Sequence, residues 1–457
     1  MKMRLKLARC ILAAIMLLAG MVLVYGTDGK DSAAVRKSGT ENGYTAVFGA
    51  DVRKEEKTST TSQLYARAAV LMDGSSGRIL IGKNEEEALP MASTTKIMTC
   101  ILVLEKGNLQ DMIPVSSYGA SQPKVHMGAK KGEYYKTEDL LYSLMLESHN
   151  DTAVILAEYY GRKWNGENTE CTSHSDEESR KAVTAFASAM NQKAGDIGCR
   201  DTFFVTPNGL DGTLFVENAE GKEEIRHHTT AADLALLMKY CVWDSPAREK
   251  FLQITQAESY GFSDYRKKKN GVGYETGGRV VTCTNRNAFL HMMDGVVSGK
   301  TGYTGQAGYC YVAALENKGK KYTVALLASG WPDNKTWKWK DAALLFEYGL
   351  EHYELRDIYR QTEAFRIPVE RGQAGYVTAE IKKDNLQLLL GKNDRVEVVC
   401  QAPRILSAPI AAGEKVGEQK YYLNGTLFAV LPMCAVNNVL RINYRFCLKK
   451  MISRMLL

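Results

Sequence analysis

Leu89-Pro90-Met91-Ala92-Ser93-Thr94-Thr95-Lys96 is the stretch on which the reading of this chain turns. Pro90 and Ser93 announce a helix. The apolar positions Ile97, Cys100, Ile101 and Leu104 then keep to one helical face until Gly107 stops it. Residues three apart share a face of a helix. Lys96 therefore stands beside the Ser93 hydroxyl, where its amine can take the serine's proton. Serine alone is a poor nucleophile and needs such a base. A lysine serves only when neutral, and burial or a second nearby cation makes it so by lowering its pKa. Ser121-Gln122-Pro123-Lys124 has the same spacing without the same meaning, because Pro123 breaks a helix there. Alone, a Ser-x-x-Lys is no more than a capped helix with an exposed lysine.

Upstream, Ala68, Val70 and Met72 face one way and Ala69 and Leu71 the other, as in a buried strand. Asp73-Gly74-Ser75-Ser76-Gly77 turns the chain into a returning strand, Arg78 to Ile81. Downstream, helices are expected from Thr137, as cap, to Leu146, from Asn150 to Gly161, and from Arg180 to Ala194. Another opens at Thr229-Thr230-Ala231-Ala232-Asp233. The polar, acidic residues 162–179 read as a surface insertion. From Gly295 the pattern turns to strands at Val296-Val297, Gly308–Leu315 and Tyr322–Ala328, with Asn317-Lys318-Gly319-Lys320 as a hairpin turn, closed by a helix from Thr336 to His352. An early hairpin, a helical middle and a late antiparallel run predict an α/β (α+β) layered domain with an antiparallel sheet. Residues 363–435, with short apolar runs such as Arg395–Val399 between turns, read as a small all-β domain.

Two further signatures follow in order. Ser148-His149-Asn150 falls at a turn between helices, where the Ser148 hydroxyl can relay a proton and the Asn150 amide can bind a substrate amide. Both residue types are also ordinary N-caps. Lys300-Thr301-Gly302 heads a strand. Lys300 brings positive charge that lowers the Lys96 pKa and attracts a carboxylate. Thr301 adds a hydroxyl for that carboxylate, and Gly302 lets another backbone come close. If this is an edge strand, an extended peptide can pair with it. Each triplet is weak alone; their order, spacing and context together are specific.

With these residues the sequence resembles the low-molecular-mass penicillin-binding proteins, the serine D-alanyl-D-alanine carboxypeptidases of peptidase family S11. Ser148-His149-Asn150-Asp151, Pro207-Asn208-Gly209-Leu210-Asp211, His228-Thr229-Thr230-Ala231, Thr284-Asn285-Arg286-Asn287 and Lys300-Thr301-Gly302-Tyr303-Thr304 extend the likeness over residues 65–355. It implies a serine β-lactamase/penicillin-binding-protein-like fold. It also implies that Ser93 attacks the carbonyl between two terminal D-alanines of a peptidoglycan stem peptide, with Lys96 as base. Ser148 and Asn150 complete the proton network and hold the substrate. Lys300, Thr301 and Gly302 form the carboxylate-binding strand, with Arg286 either helping there or standing as a surface arginine. The backbone N–H groups of Ser93 and Tyr303 form an oxyanion hole. The resemblance implies covalent inhibition by β-lactams and no metal or cofactor. Val297-Ser298-Gly299 is a longer lead-in to Lys300 than the family pattern, and His149 replaces a small residue; an exposed loop histidine is the expectation there.

The ends of the chain point to export. Lys2, Arg4, Lys6 and Arg9 precede an apolar run, Cys10–Tyr25, and small residues near Gly26 suit cleavage. Residues 1–26 thus read as a signal peptide, cleaved in preference to being kept as an anchor, and 27–62 as a flexible spacer. The carboxypeptidase domain is placed at 63–358. Asn438–Leu457 is amphipathic: Leu440, Tyr444, Cys447, Leu448, Met451, Ile452 and Met455 make one stripe, and Arg441, Arg445, Lys449 and Arg454 the other. That composition suits a helix lying on a membrane surface; a terminal helix docked on the preceding domain is the alternative. The protein is then expected at the outer face of the cytoplasmic membrane or in the cell wall. In a chain of 457 residues the net charge of +7 is not gathered into one long patch, which argues against nucleic acid. The ten cysteines include no C-x-x-C, so no zinc or redox motif is indicated. Two other functions keep the same fold. A β-lactamase would want a Glu-x-x-x-Asn between the second and third signatures, and none is present. A non-catalytic β-lactam sensor or wall-binding protein would not need Ser93, Lys96 and Lys300 intact.

Overall fold

Every residue of β1 (Ala68–Asp73) is buried, because the sheet it belongs to is covered on both faces. Ala68, Val70 and Met72 enter one apolar core while Ala69 and Leu71 enter another. The two-residue alternation legible in the sequence is thus a division between two cores. This computed structural model describes residues 38–40, 43–45, 57–169, 174–218, 221–360, 364–381 and 385–456. The segment read as an export signal, most of the spacer, Cys10 and Cys171 lie outside them. The chain divides into two units. One gathers Lys54–Arg356 with Leu388–Gly391, and the other holds the remainder.

The first unit is built on β1, β2 (Ile79–Lys83), β7 (Val296–Thr304), β8 (Gly308–Asn317) and β9 (Lys320–Leu327). They form one antiparallel sheet in the order β7-β8-β9-β1-β2, with β7 at an edge. The β1–β2 turn is held by Asp73, whose carboxylate accepts from Ser75 N at 2.8 Å and Ser76 Oγ at 2.6 Å. Lys318 and Gly319, at φ 49° and 79°, make the β8–β9 turn, the left-handed pair that a two-residue hairpin needs. The extra residue ahead of Lys300 is absorbed as a β-bulge. Val296 pairs with Leu315 and Ser298 with Ala314, so Val297 is left over and the Lys300 register is kept.

Between β2 and β7 the helices α1 (Lys96–Lys106), α2 (Thr137–Leu146), α3 (Asn150–Trp164), α4 (Asp176–Ile197) and α5 (Ala231–Lys239) pack on one face; α7 (Trp337–His352) covers the other. A second sheet joins β3 (Met112–Pro114), β4 (Tyr134–Lys136), β5 (Ser259–Lys267) and β6 (Tyr274–Thr284), with α6 (Arg248–Gln256) preceding β5. Several boundaries differ from expectation. α3 runs through Gly161 to Trp164, because this glycine serves a close helix crossing: a Cβ there would lie 2.0 Å from the Ala182 carbonyl oxygen. α4 begins at Asp176 through a capping box of Ser175 and Glu178, which shortens the surface insertion. Thr137 does not cap α2; it is buried and bonded to the Tyr160 hydroxyl at 2.8 Å. Lys57–Ser62 is helical, inside the stretch that composition assigned to a spacer, and the chain beyond it is pinned as Tyr65 N and Ala66 N donate to Asp341 at 3.0 and 2.8 Å.

The second unit holds an all-β sheet, ordered Val396–Gln401, Lys415–Leu423, Thr426–Ala435, Tyr376–Ile381, Phe365–Glu370, Leu406–Ser407. Val377, Ala379, Gln419, Tyr421 and Met433 are its most buried residues. The C-terminal helix starts later than its sequence pattern, at Tyr444, where Asn443 accepts from Phe446 N at 2.9 Å. Val439 is buried and bridged to Ile410, so Leu440 does not belong to the helical stripe. None of the helix's described residues is buried. No described helix is long and apolar enough to cross a membrane. Every described cysteine is a free thiol; Cys100, Cys241, Cys283, Cys310 and Cys400 are buried.

Candidate active site

Ser93 lies on a single 3₁₀ turn, Ala92–Thr95, that leads directly into α1. That turn carries Lys96 under the serine, with Nζ 2.9 Å from Ser93 Oγ. Nζ also donates to Asn150 Oδ1 at 2.9 Å and to the Asn208 carbonyl at 2.5 Å. A neutral amine has two hydrogens and one lone pair. The two acceptors take the hydrogens, and the lone pair is left for the Ser93 hydroxyl proton. Burial drives the Lys96 pKa well down, the nearby Lys300 charge lowers it further, and Asp151 opposes them.

Ser148 sits between α2 and α3 at φ +66°, a conformation that costs a non-glycine residue about 1–3 kcal/mol. Its hydroxyl accepts from Lys300 Nζ at 2.9 Å. Lys300 is buried on β7, and that burial lowers its pKa to about 7. A carboxylate bound against it would favour the charged form. Asn150 opens α3; its Nδ2 donates to the carbonyls of Pro123 and Lys124, both at 3.2 Å, so the amide is oriented from two sides.

β7 presents a free edge. Tyr309 on β8 donates its N–H to Gly330 O at 2.8 Å and accepts from Ser329 N at 2.7 Å. Tyr303, opposite Tyr309, is therefore in a non-hydrogen-bonded pair and turns its own N–H and C=O outward. Thr301, two residues earlier, shares that orientation, and Lys300 Nζ reaches the Thr301 carbonyl at 3.0 Å. A Cβ on Gly302 would lie 2.9 Å from Ser93 N and 3.0 Å from Met91 O, so only glycine lets β7 pass this close to the nucleophile's turn. Gly302 thus brings the strand that carries the outward Tyr303 N–H against Ser93 N.

The structure brings Ser93, Lys96, Asn150, Ser148, Lys300 and the Thr301-Gly302-Tyr303 strand together. Arg286 is engaged elsewhere: its exposed guanidinium donates through Nε to Glu147 at 2.7 Å. His149 is not the exposed loop histidine expected from sequence. Its Nδ1 lies 2.8 Å from Ser143 Oγ, and burial lowers its pKa. Three residues given no separate role in the sequence reading also belong here. The Asn208 carbonyl binds Lys96. Asp151 gathers the N–H groups of Met127, Gly128 and Ala129 at 2.9, 2.8 and 3.1 Å. The buried His227 reaches Thr95. The Pro207-Asn208-Gly209 turn was the available signal for the first; the other two act through residues distant in sequence.

Comparison with known proteins decides the family. The family model described as D-alanyl-D-alanine carboxypeptidase, peptidase S11, matches residues 54–166 and 175–329. This chain belongs to that family. The unmatched residues 167–174 fall in the polar connection between α3 and α4. Residues 353–441 match the C-terminal domain of penicillin-binding protein 5. The D-alanyl-D-alanine carboxypeptidase DacF of Bacillus subtilis is 25% identical over 401 residues, covering 85% of this chain and 90% of that protein. DacC of Escherichia coli is 26% identical, covering 89% and 92%. In structure, penicillin-binding protein 5 of Haemophilus influenzae superposes with a TM-score of 0.60 at 23% identity, covering 83% of this chain and 98% of that one, which shows a shared fold.

Proposed function

We propose that this protein is a serine-type D-alanyl-D-alanine carboxypeptidase that hydrolyses the terminal D-Ala-D-Ala bond of peptidoglycan stem peptides and is acylated by β-lactams. The observation that carries this is the buried Lys96 amine, whose Nζ lies 2.9 Å from Ser93 Oγ, 2.9 Å from Asn150 Oδ1 and 2.5 Å from the Asn208 carbonyl oxygen. Family membership and the names of its relatives support the substrate.

In this reading Lys300 and the Thr301 hydroxyl hold the terminal carboxylate, and Arg286 stays with Glu147. Ser93 Oγ attacks the penultimate carbonyl as its proton passes to Lys96. The N–H groups of Ser93 and Tyr303 stabilise the oxyanion, which is charged only in the tetrahedral state. Collapse breaks the C–N bond; the proton returns through Ser148 to the amine, and D-alanine leaves. Water then attacks the Ser93 ester, giving the shortened peptide and the free serine. Residues 63–358 carry this chemistry and 363–435 form the β-rich domain. Residues 1–26 direct export, so that the enzyme works at the outer face of the cytoplasmic membrane or in the wall. The helix within 438–457, apolar along Leu448, Met451, Ile452 and Met455 and cationic elsewhere, rests on the membrane surface.

The test is release of D-alanine from diacetyl-lysyl-D-Ala-D-Ala together with covalent labelling by a fluorescent penicillin, both absent in Ser93→Ala. Labelling without D-alanine release would replace the enzyme with a β-lactam sensor. Transient labelling with penicillin turnover would replace it with a β-lactamase.

A further inference from the structure

Ala92, the residue before the nucleophile, has φ +50°, so something must hold it there. Its carbonyl accepts from Thr95 Oγ1 at 2.8 Å. On the other side Gly209, at φ +83°, packs so close that a Cβ would lie 1.9 Å from the Ala92 oxygen. Thr95 is itself held. His227 Nε2 lies 2.8 Å from Thr95 Oγ1. His227 Nδ1 accepts the N–H groups of Val205 and Thr206 at 3.0 and 3.3 Å, so Nδ1 carries no proton. A neutral imidazole then has its hydrogen on Nε2 and donates it to Thr95. His227 is 4% exposed, and burial, with His228 and Lys96 nearby, lowers its pKa to about 3. It is therefore neutral at working pH, with one tautomer set by backbone.

A peptide unit is planar and trans, so the Ala92 C=O and the Ser93 N–H point in opposite directions. Whatever fixes the carbonyl aims the N–H. We infer that His227 is a positioning residue which, through Thr95 Oγ1 and the Ala92 carbonyl, aims the Ser93 N–H at the oxyanion. The inference rests on the proposed acyl-enzyme chemistry and adds a residue to it. Because the oxyanion exists only in the tetrahedral state, a misaimed donor should slow acylation and leave ground-state binding alone.

The experiment measures acylation of the full chain by a fluorescent penicillin, split into the dissociation constant of the first complex and the acylation rate constant. His227→Asn keeps an acceptor where Nδ1 stood and removes the donor to Thr95. Thr95→Val removes the hydroxyl between them. Each should slow acylation by roughly 10-fold or more, a fraction of the ~10²–10³ expected when an oxyanion donor is lost outright. The dissociation constant should change little, and affinity for a boronic acid that mimics the tetrahedral state should fall in step with the rate. His227→Gln, which can carry an N–H toward Thr95, should recover part of the rate. The double variant should be no slower than the worse single one. Wild-type acylation rates in either single variant, or defects that multiply in the double, would overturn the inference. So would a rate loss confined to the dissociation constant. Should His227→Asn fail to melt cooperatively, Thr95→Val decides alone. Absence of labelling in the wild-type chain would instead sink the acyl-enzyme reading and this inference together.

Discussion

Gly302→Ala makes the sharpest demand on the geometry. The new methyl would lie 2.9 Å from Ser93 N, 3.0 Å from Ala92 Cβ and 3.0 Å from Met91 O. Ordinary contacts begin near 3.5 Å, so β7 and the nucleophile's turn must separate by about 0.5 Å. None of the three is a flexible side-chain tip: Ser93 N and Met91 O are backbone, and the third is the Ala92 methyl. The two N–H groups that flank the oxyanion are carried one on each side of that contact, so the gap between them widens by the same amount. A donor at ~2.9 Å moves toward ~3.4 Å, outside the usual N–H···O range. Full loss of one donor costs ~10²–10³ in the chemical step, and this partial loss should cost roughly 10- to 100-fold. Overpacking should also destabilise the fold by about 1–3 kcal/mol. The assay is stopped-flow acylation by a fluorescent penicillin, with the melting temperature measured in parallel. A variant that acylates within twofold of wild type would show that the approach of β7 to Ser93 does not set the rate.

Other expectations follow from single observations. The Lys300 pKa is lowered by burial and rises when a carboxylate binds. Second-order acylation by carboxylate-bearing substrates should therefore fall as pH rises through about 7 and above, and a substrate without the carboxylate should lack that limb. Gly161→Ala sets a methyl against the Ala182 carbonyl at 2.0 Å and should destabilise the catalytic unit by at least ~2 kcal/mol in urea unfolding without altering the pH profile of acylation. Arg286→Ala removes an exposed guanidinium from a mostly buried Glu147 that still accepts from Thr284 N, so acylation should stay within about fivefold; a hundredfold loss would place Arg286 on the substrate carboxylate. Met451→Glu should release the chain from anionic vesicles in flotation while D-alanine release in solution is kept; undiminished flotation would remove the membrane role of the C-terminal helix.

What could be read in advance follows from how local each signal is. Ala68–Asp73 alternates between two cores, and Asn317-Lys318-Gly319-Lys320 is a turn by its own backbone demands, so both were legible. The base at Lys96 followed from helical spacing, because three residues later is the same face whatever surrounds it. Gly161 misled because the same residue ends one helix and lets another pack close; only Ala182, distant in sequence, distinguishes them. The long lead-in to Lys300 was visible as an irregularity, but its resolution as a bulge at Val297 depends on β8. His227, Asp151 and the Asn208 carbonyl act through backbone groups and tertiary neighbours, which no spacing records. His149 was misplaced for a related reason: Ser143, its partner, lies on the preceding helix. The hairpin of β5 and β6 went unread because its strands are largely exposed and polar, without the apolar alternation that marks a buried strand.

The central claim is that Ser93 becomes covalently acylated because Lys96 takes its proton. The most direct measurement is intact-mass and peptide-mapping mass spectrometry of the full chain after brief exposure to a penicillin, beside Lys96→Gln. The account predicts one adduct per chain, mapped to the peptide that carries Ser93 and absent or very slow to form in Lys96→Gln. An adduct on another residue, or unchanged acylation without the Lys96 amine, would contradict it.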